Sequence, residues 1–443
     1  MKKYKFLVAV MVICMLLPTV VSCSKKTESS VYFLNFKPEV ASVYNEIAKT
    51  YKEETGVDLR VVTAASGTYE QTLKSEVGKK DAPTVFIING PRGFSAWRDY
   101  CADLSKTELY KHLTDKSMCI SEGNAVYGIP AVVEGYGIIY NKALTDKYFS
   151  LTARQKEINS IEEINNFNKL KTVVEDMTKL KSELGIKGVF AATSLQSGED
   201  WRWQTHLANV PLYYEFESEN VDLTDVSSAK EVEFKYSDNF KNIFDLYINN
   251  STTDPKLLGS KQVADSMAEF ALGECVMVQN GNWAWSQIKD ISGNVVKKED
   301  IKFLPIYTGM EADSSQGLCI GTETFLCINS QVSEEKQKQA ADFLYWLYSS
   351  DSGKEYVTEK LNFITPFDTF DSSELSSDPL SIQVNEWIKK ENITTVPWNF
   401  TVFPSMNFKN DFGAALLQYA QGNMTWDSVK ETFVTRWKEE AGK

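Results

Sequence analysis

Histidine and cysteine, which supply many metal ligands and catalytic groups, are scarce in this 443-residue chain. It has two histidines, His112 and His206, and seven cysteines. Five of the cysteines lie beyond residue 30, namely Cys101, Cys119, Cys275, Cys319 and Cys327. Because no CxxC motif or Cys/His cluster occurs, the sequence predicts neither a metal site nor a cofactor. Because five is an odd number, these cysteines cannot all be paired in disulfides. Whether any two of them pair stays open.

Positive charge is the second deficit. Lysine and arginine total 47 against 60 aspartate and glutamate residues, so the formal net charge is −13 at pH 7. Such an acidic chain is a poor partner for nucleic acid or for an anionic membrane surface. The sequence also has no internal repeat, low-complexity tract or second long apolar run.

The one long apolar run lies at the N-terminus. Lysines at positions 2, 3 and 5 precede the apolar stretch 6–17, which is typical of a secretory signal and too short for a permanent membrane span. Val20-Val21-Ser22-Cys23 resembles a bacterial lipobox, in which the cysteine is lipidated. We therefore expect a signal peptide over 1–22, lipid on Cys23, a flexible tether over 23–30, and an exported protein held at the outer face of the cell membrane. An ordinary signal with a chance cysteine is the alternative.

Strand and helix patterns alternate after the tether. Residues 31–36 are a first predicted strand, Pro38 lies at the start of a helix, Gly56 ends it, and 57–62 are the next strand. This order predicts an α/β fold with parallel strands, and about 420 residues exceed one typical core, so two domains are expected. Further strands are predicted at 83–88, 188–192, 275–278, 303–306 and 318–328.

Residues 127–142 form a predicted strand that leaves one structural unit and enters another. Glu134 interrupts its apolar run and Tyr136 follows two positions later, so in extended backbone both side chains point to the same face. A carboxylate beside a phenol, at a crossover between two lobes, suits the hydroxyl groups of a sugar. A glycine-rich surface loop with a solvated glutamate is the alternative interpretation.

Other candidate ligand contacts come from strand ends and from tryptophans. Open α/β sheets bind ligands at the carboxyl ends of strands, which points to Asn35, to the loop 64–69 and to Arg92. Trp201 and Trp203 follow the strand predicted at 188–192, although Trp203 fits the apolar face of a helix equally well. Trp283 and Trp285 lie just beyond a tight turn predicted at Asn280-Gly281. The tryptophans of the last predicted helix recur at helical intervals, which favours a role in packing over ligand binding.

Four motifs together resemble the extracellular solute-binding proteins of sugar ABC importers, most closely the maltose/maltodextrin-binding branch. They are residues 128–142, residues 273–285 with Asn-Gly-Asn-Trp-Ala-Trp, residues 340–344, and the final amphipathic helix. The resemblance covers nearly the whole mature chain. It implies a two-lobed periplasmic-binding-protein-like fold of type II, with a mixed sheet in each lobe. One lobe is then expected over 31–133 and 323–372, the other over 137–318 and 373–443, with hinges near 134–136 and 319–322.

The resemblance also implies roles for particular residues. The family's crossover glutamate, which contacts sugar hydroxyls, resembles Glu134, and its stacking tryptophan resembles Trp283. Glu199 and Trp201 look like its Glu-x-aromatic platform, and Arg92 resembles a charged ligand contact. The late stacking tryptophan has no clear counterpart, although the region that should contain it includes Trp398, Phe400 and Phe408. Ile88 and Pro91 replace an aromatic residue and an aspartate of the maltodextrin binders, which argues against maltose and leaves an oligosaccharide as the expected ligand.

The expected function is therefore capture of an oligosaccharide in the cleft between the lobes by a monomeric receptor, which passes it to ABC permease subunits. A lipid-anchored glycoside hydrolase is the alternative, with Glu134 and Glu199 as its carboxylate pair. A receptor for peptides or metals is disfavoured by the tryptophan platforms and by the lack of ligand clusters.

Overall fold

The computed structural model describes residues 31–64, 67–371 and 373–442. The predicted signal peptide, the tether and Cys23 lie outside these residues. Within the described part of the chain, no helix is both long enough and apolar enough to cross a membrane.

The strands belong to two sheets. In chain order they are β1 (Val31–Asn35), β2 (Leu59–Thr63), β3 (Val85–Ile88), β4 (Ile120–Glu122), β5 (Ala125–Pro130), β6 (Glu134–Asn141), β7 (Met277–Gly281), β8 (Ile301–Leu304), β9 (Gln316–Gly321), β10 (Phe325–Ile328) and β11 (Thr394–Pro397). The first sheet has the order β2-β1-β3-β10-β5-β4. The second sheet has the order β11-β9-β6-β7, and β8 also pairs with β6.

Helices surround the two sheets. They are α1 (Ala41–Thr55), α2 (Tyr69–Glu76), α3 (Gly90–Trp97), α4 (Glu108–Lys111), α5 (Lys142–Ser150), α6 (Phe167–Lys179), α7 (Lys181–Leu184), α8 (Ala208–Glu219), α9 (Ser237–Asn249), α10 (Val263–Ala271), α11 (Ala284–Ile288), α12 (Glu334–Ser349), α13 (Asp351–Glu355), α14 (Pro379–Ile388), α15 (Met406–Ala420) and α16 (Trp426–Glu440). A wide helical turn, Arg202–Leu207, leads into α8. We call the part of the chain built on each sheet a lobe.

The predicted strand–helix–strand unit at the start of the chain is confirmed. β1 and β2 pair in parallel, with Val31 opposite Leu59 and Asn35 opposite Thr63. Gly56 ends α1 in the left-handed conformation (φ 74°), and its N–H donates to the Lys52 carbonyl. Glycine adopts this conformation without a steric penalty, which explains why the helix ends there.

Two short segments connect the sheets. Residues 131–133 join β5 of the first sheet to β6 of the second, and residues 322–324 return from β9 to β10. β10 lies antiparallel between β3 and β5, which makes the first sheet mixed. The crossover predicted within 127–142 is therefore confirmed, whereas the exact lobe and hinge boundaries stay predictions.

Three local predictions are wrong. The strand predicted over 318–328 is two strands, β9 and β10, which belong to different sheets and are separated by residues 322–324. Residues 188–192 do not form a strand but make isolated bridges from Phe190 to Ser251 and Met277. Asn280-Gly281 is not a turn either, because both residues extend β7, where Gly281 lies opposite Tyr136. The strand continues through pairing with β6, and the missing Cβ of Gly281 leaves room for the Trp283 ring, which an added Cβ would approach to 2.1 Å.

The tryptophans of α16 pack in the core of the second lobe, as the helical spacing predicts. Trp437 is fully buried, contacts the rings of Phe403, Phe408 and Phe433, and donates from Nε1 to the Ala229 carbonyl at 2.8 Å. Trp203 is also buried and donates to the carbonyls of Thr193 and Ser194, so packing is its role.

The burial of Trp437 predicts a large effect on stability. Trp437→Ala should lower the free energy of unfolding by about 3–5 kcal/mol, because it leaves a cavity and an unpaired carbonyl. Urea unfolding followed by circular dichroism measures this change. The matched control is Trp387→Ala, which removes a partly exposed indole. Equal losses in the two variants would contradict the assignment.

Candidate ligand-binding site

Six ring side chains from four segments of the second lobe form an aromatic cluster. Its members are Tyr136, Trp201, His206, Trp283, Trp398 and Phe400. The Tyr136 and His206 ring centroids lie 4.5 Å apart, and the His206 ring stacks on Phe400 at 4.5 Å and 23°. The Trp283 ring lies 5.9 Å from Trp201 and 6.3 Å from Trp398, almost perpendicular to the latter. The cluster therefore brings together four of the residues predicted from the sequence to contact the ligand.

Two glycines make room for the indole rings. A Cβ added at Gly281 would lie 2.1 Å from the Trp283 ring, and one added at Gly321 would lie 2.6 Å from the Trp398 ring. Real Cβ atoms do not approach other atoms this closely. Each indole therefore rests directly on strand backbone, at the ends of β7 and β9.

A buried ion pair borders the aromatic cluster. Lys37 Nζ lies 2.8 Å from Oε1 and 2.9 Å from Oε2 of Glu134, and the two residues are 7% and 3% exposed. Lys37 follows β1 of the first sheet, whereas Glu134 begins β6 of the second, so the pair joins the two lobes. The same ammonium lies 5.9 Å from the centroid of the Trp283 ring.

Asn35 holds Lys37 in place. Its Oδ1 accepts the Lys37 N–H at 3.0 Å, and its Nδ2 donates to the Lys37 carbonyl at 2.7 Å and to Thr63 Oγ1 at 3.0 Å. Asn35 is itself buried. Its amide shapes the turn after β1, so we expect it to act on a ligand through Lys37.

Burial changes the pKa values around this ion pair. Desolvation raises the pKa of Glu134, and the charge and hydrogen bonds of Lys37 oppose that rise. Desolvation lowers the pKa of Lys37, whereas the Glu134 and Glu39 carboxylates raise it. The carboxylates together outweigh desolvation, so the pKa of Lys37 lies above its usual value. On the second connecting segment, burial raises the pKa of Glu323 to about 7; Lys37 opposes the shift and Glu134 adds to it.

Three polar atoms of the aromatic cluster are buried without a hydrogen-bond partner among the described residues. They are Nε1 of Trp283, Nε1 of Trp398 and Nε2 of His206. Burial holds the pKa of His206 well below its usual value, so the ring is neutral at pH 7. His206 Nδ1 lies 3.0 Å from Thr205 Oγ1, whose proton goes to the Trp201 carbonyl at 2.6 Å. Nδ1 must then carry the ring proton, and Nε2 presents a lone pair.

Trp201 belongs to the aromatic cluster, and Glu199 precedes it by two residues. The Trp201 ring is partly exposed and packs on the Arg202 guanidinium, whose carbon lies 3.9 Å from the ring centroid. Glu199 accepts the Val263 N–H at 2.7 Å through Oε2 and so caps the start of α10. One carboxylate oxygen of Glu199 is thus already engaged within the protein.

Arg92 and Phe408, two further residues predicted to contact the ligand, contact other parts of the protein. Arg92, on α3, donates from Nη2 to the Ala441 carbonyl at 3.3 Å and so bridges the two lobes. The Phe408 ring is fully buried against Phe403, Phe412, Phe433 and Trp437. Because Phe408 has no face left for a ligand, we correct that expectation and leave it out of the proposed site.

The sequence interpretation did not include Lys37, His206 or Glu323. Lys37 comes just after β1, so the strand-end rule that selected Asn35 could have found it. His206 follows Trp201 by five residues on one helical turn, and no local pattern marks it. Glu323 lies on the segment 322–324, one residue beyond the predicted hinge.

Residues 46–382 match the family model of the bacterial extracellular solute-binding proteins. Since this match covers more than half of the chain, the protein belongs to that family. It is accordingly a solute-binding protein and not an enzyme, which removes the hydrolase alternative. No functionally curated protein matches the sequence.

Solved structures with a similar fold cover almost the whole chain. They include a chitin oligosaccharide binding protein (15% identity, TM-score 0.70, 93% of this chain and 99% of that one). A sugar transporter protein from Bacillus licheniformis in complex with stachyose is another (14%, 0.66, 93% and 99%). Maltose-bound T. maritima MalE3 is a third (16%, 0.64, 92% and 99%). At these identities the likeness establishes the fold, and it confirms the two-lobed periplasmic-binding-protein-like class.

The Lys37–Glu134 pair predicts a pH-dependent stability defect. Lys37→Met should lower the free energy of unfolding by about 3–5 kcal/mol at pH 7, because Glu134 is left buried without its cation. The loss should shrink as the pH falls, since the raised pKa of Glu134 lets the folded protein bind a proton before the unfolded chain does. Urea unfolding at several pH values measures both effects.

The control for this prediction is the double variant Lys37→Met/Glu134→Gln, which removes both charges. It should recover part of the lost stability. A double variant as unstable as Lys37→Met at pH 7 would argue against an unpaired charge as the cause.

Proposed function

We propose that the protein captures an oligosaccharide between its two lobes, against the aromatic cluster and the Lys37–Glu134 pair, and delivers it to the permease of an ABC importer. The observation that carries this proposal is the set of unpartnered polar atoms within a group of flat rings. Two of these atoms are N–H donors, and the third is a nitrogen lone pair.

The chemistry of a sugar complements this arrangement. A sugar ring has a weakly apolar face and a rim of hydroxyl groups, so it requires flat aromatic surfaces together with fixed polar groups. A hydroxyl group both accepts and donates hydrogen bonds. Sugar oxygens can therefore accept from the indoles of Trp283 and Trp398, while a hydroxyl proton can go to His206 Nε2. An apolar ligand would leave all three atoms unsatisfied.

The energies involved are sufficient for a transport receptor. An indole that removes about 100 Å² of apolar surface from water contributes about 2.5 kcal/mol at ~25 cal/mol/Å². Each hydrogen bond to a charged group contributes about 1.5–3 kcal/mol. Two or three indoles with a few such bonds reach micromolar affinity, about −8 kcal/mol, after the entropy of ordering has been subtracted.

Contacts between the lobes support a cleft that closes around its ligand. Arg92 bridges from α3 to Ala441, and a Cβ added at Gly67 of the first lobe would lie 3.3 Å from Gly198 Cα of the second. Glu134 and Glu323 lie on or beside the connecting segments, where lobe motion is centred. A ligand that touches both lobes binds the closed form better and so shifts the equilibrium toward it.

The similar structures support a sugar as the class of ligand. Those described above are named for a chitin oligosaccharide, or contain stachyose or maltose. Each of these ligands is built from linked sugar rings. We propose that the cargo of this protein has the same general chemistry, with the number of rings set by the space around Trp201, Trp283 and Trp398.

The first functional prediction concerns Trp283. Trp283→Ala should weaken binding of the preferred sugar at least tenfold, because it removes a platform worth about 2.5 kcal/mol and one N–H donor. Isothermal titration with malto-, xylo-, fructo- and galacto-oligosaccharides first identifies the sugar and then compares the variants. Trp387→Ala is the control and should bind normally. An unchanged affinity would remove Trp283 from the site.

The second functional prediction concerns the membrane anchor. We propose that lipid on Cys23 holds the receptor near its permease, on the basis of the lipobox-like sequence before it. Cys23→Ser should move the protein from the membrane fraction to the medium and abolish labelling with radioactive palmitate. Cys14→Ser, which changes a cysteine within the apolar run, should leave both readouts unchanged. Membrane-bound, labelled Cys23→Ser protein would refute the anchor.

A further inference from the structure

Cys101 and Cys327 are brought together in the first lobe from positions far apart in the chain. Cys101 lies opposite Asn329 in an antiparallel bridge, held by hydrogen bonds from Ala102 N–H to the Ile328 carbonyl and from Ser330 N–H to the Tyr100 carbonyl, both 2.9 Å. Cys327 lies on β10, two residues before Asn329, which directly follows that strand. Because side chains alternate along a strand, Cys327 and Asn329 point to the same face as Cys101.

Both side chains are buried in the first lobe, and both thiols are free in this structure. Cys101 is 5% exposed and Cys327 is fully buried. Burial is the main cause that raises the pKa of the Cys327 thiol well above its usual value, and a side-chain hydrogen bond with Cys101 raises it further. The strand register that places two buried thiols on one face distinguishes this pair from an isolated buried cysteine.

We propose that Cys101 and Cys327 form a disulfide bond in the exported protein. Two S–H bonds break and one S–S bond forms. The two electrons reduce a disulfide of the extracytoplasmic compartment, either in a thiol oxidoreductase or in a small molecule, and the two protons complete its two thiols. The family is extracellular, and disulfides persist in that environment. The odd number of cysteines is compatible with a single pair.

The bond must form while the chain folds. Thiol–disulfide exchange requires a thiolate that is accessible to the oxidant, and in the folded protein Cys327 is fully buried with a raised pKa. During folding, by contrast, both thiols are open to solvent. Protein that folded in a reducing compartment would therefore retain both thiols, and later oxidation would be slow.

This disulfide would link the two separate chain segments that form the first lobe. Cys101 precedes the first connecting segment, 131–133, and Cys327 follows the second, 322–324. The bond would therefore close a loop that contains β6, β7, β8 and β9 of the second sheet. A disulfide that closes a long loop restricts the conformations of the unfolded chain. This loss of entropy in the unfolded state is the main way in which disulfides stabilise the folded state.

The decisive test is a peptide map. The reduced protein is unfolded, refolded in a buffer of oxidised and reduced glutathione, unfolded again with iodoacetamide, and digested without reductant. We expect one linked species that joins the Cys101 and Cys327 peptides, lighter than their sum by two hydrogens, while Cys119, Cys275 and Cys319 are alkylated. Alkylation of Cys101 and Cys327, or a link to another cysteine, would overturn the proposal.

Thermal unfolding provides a second test, independent of any ligand. The refolded wild-type protein should lose several degrees of Tm in reductant, and Cys119→Ala should respond in the same way. Cys101→Ala/Cys327→Ala should show the same Tm with and without reductant. A reductant response that survives in this double variant would overturn the proposal. If the double variant does not fold, the peptide map of the wild-type protein decides alone.

Discussion

The ion pair between Lys37 and Glu134 is the interaction on which the arrangement of the two lobes depends. Its lysine comes from the turn after β1 and its glutamate from the first residue of β6, so one buried contact joins the sheets beside the segment that connects them. Two charges removed from water are stable together only with good geometry and additional hydrogen bonds. Asn35 supplies that geometry by holding the backbone of Lys37 from both sides.

In the aromatic cluster, glycine backbone supports the indole rings of the proposed site. Gly281 and Gly321 leave the strand backbone bare, and Trp283 and Trp398 lie across it. The rings gain rigid support on one side, which limits the entropy lost when a ligand binds on the other. Their N–H groups, with the lone pair of His206, are fixed before any ligand arrives. The polar groups of the proposed site are therefore preorganised as well.

Much of the fold could be predicted from the sequence, because strand and helix patterns are local. The first strand–helix–strand unit, the crossover before Glu134 and the packing role of the α16 tryptophans follow from spacing and glycine positions. The ion pair could not be predicted in the same way, since its partners lie 97 residues apart and meet only in the folded protein. The prediction of a turn at Asn280-Gly281 was wrong because this glycine lies in β7, where its missing side chain leaves room for the Trp283 ring. Phe408 lies in the region where a stacking side chain was expected, but its ring packs in the core of the second lobe against Phe403, Phe412, Phe433 and Trp437.

The return of the chain through residues 322–324 constrains the order in which an exported protein of this design acquires structure. β10 lies in the middle of the first sheet, between β3 and β5, yet it is encoded about two hundred residues later. In a chain that crosses a membrane from its N-terminus, β6 to β9 all emerge before β10 does. The second sheet, apart from its edge strand β11, can thus assemble while the first still lacks its centre. The second lobe is nevertheless the last to be completed, because β11 and α16, whose Trp437 packs in its core, follow β10 in the chain.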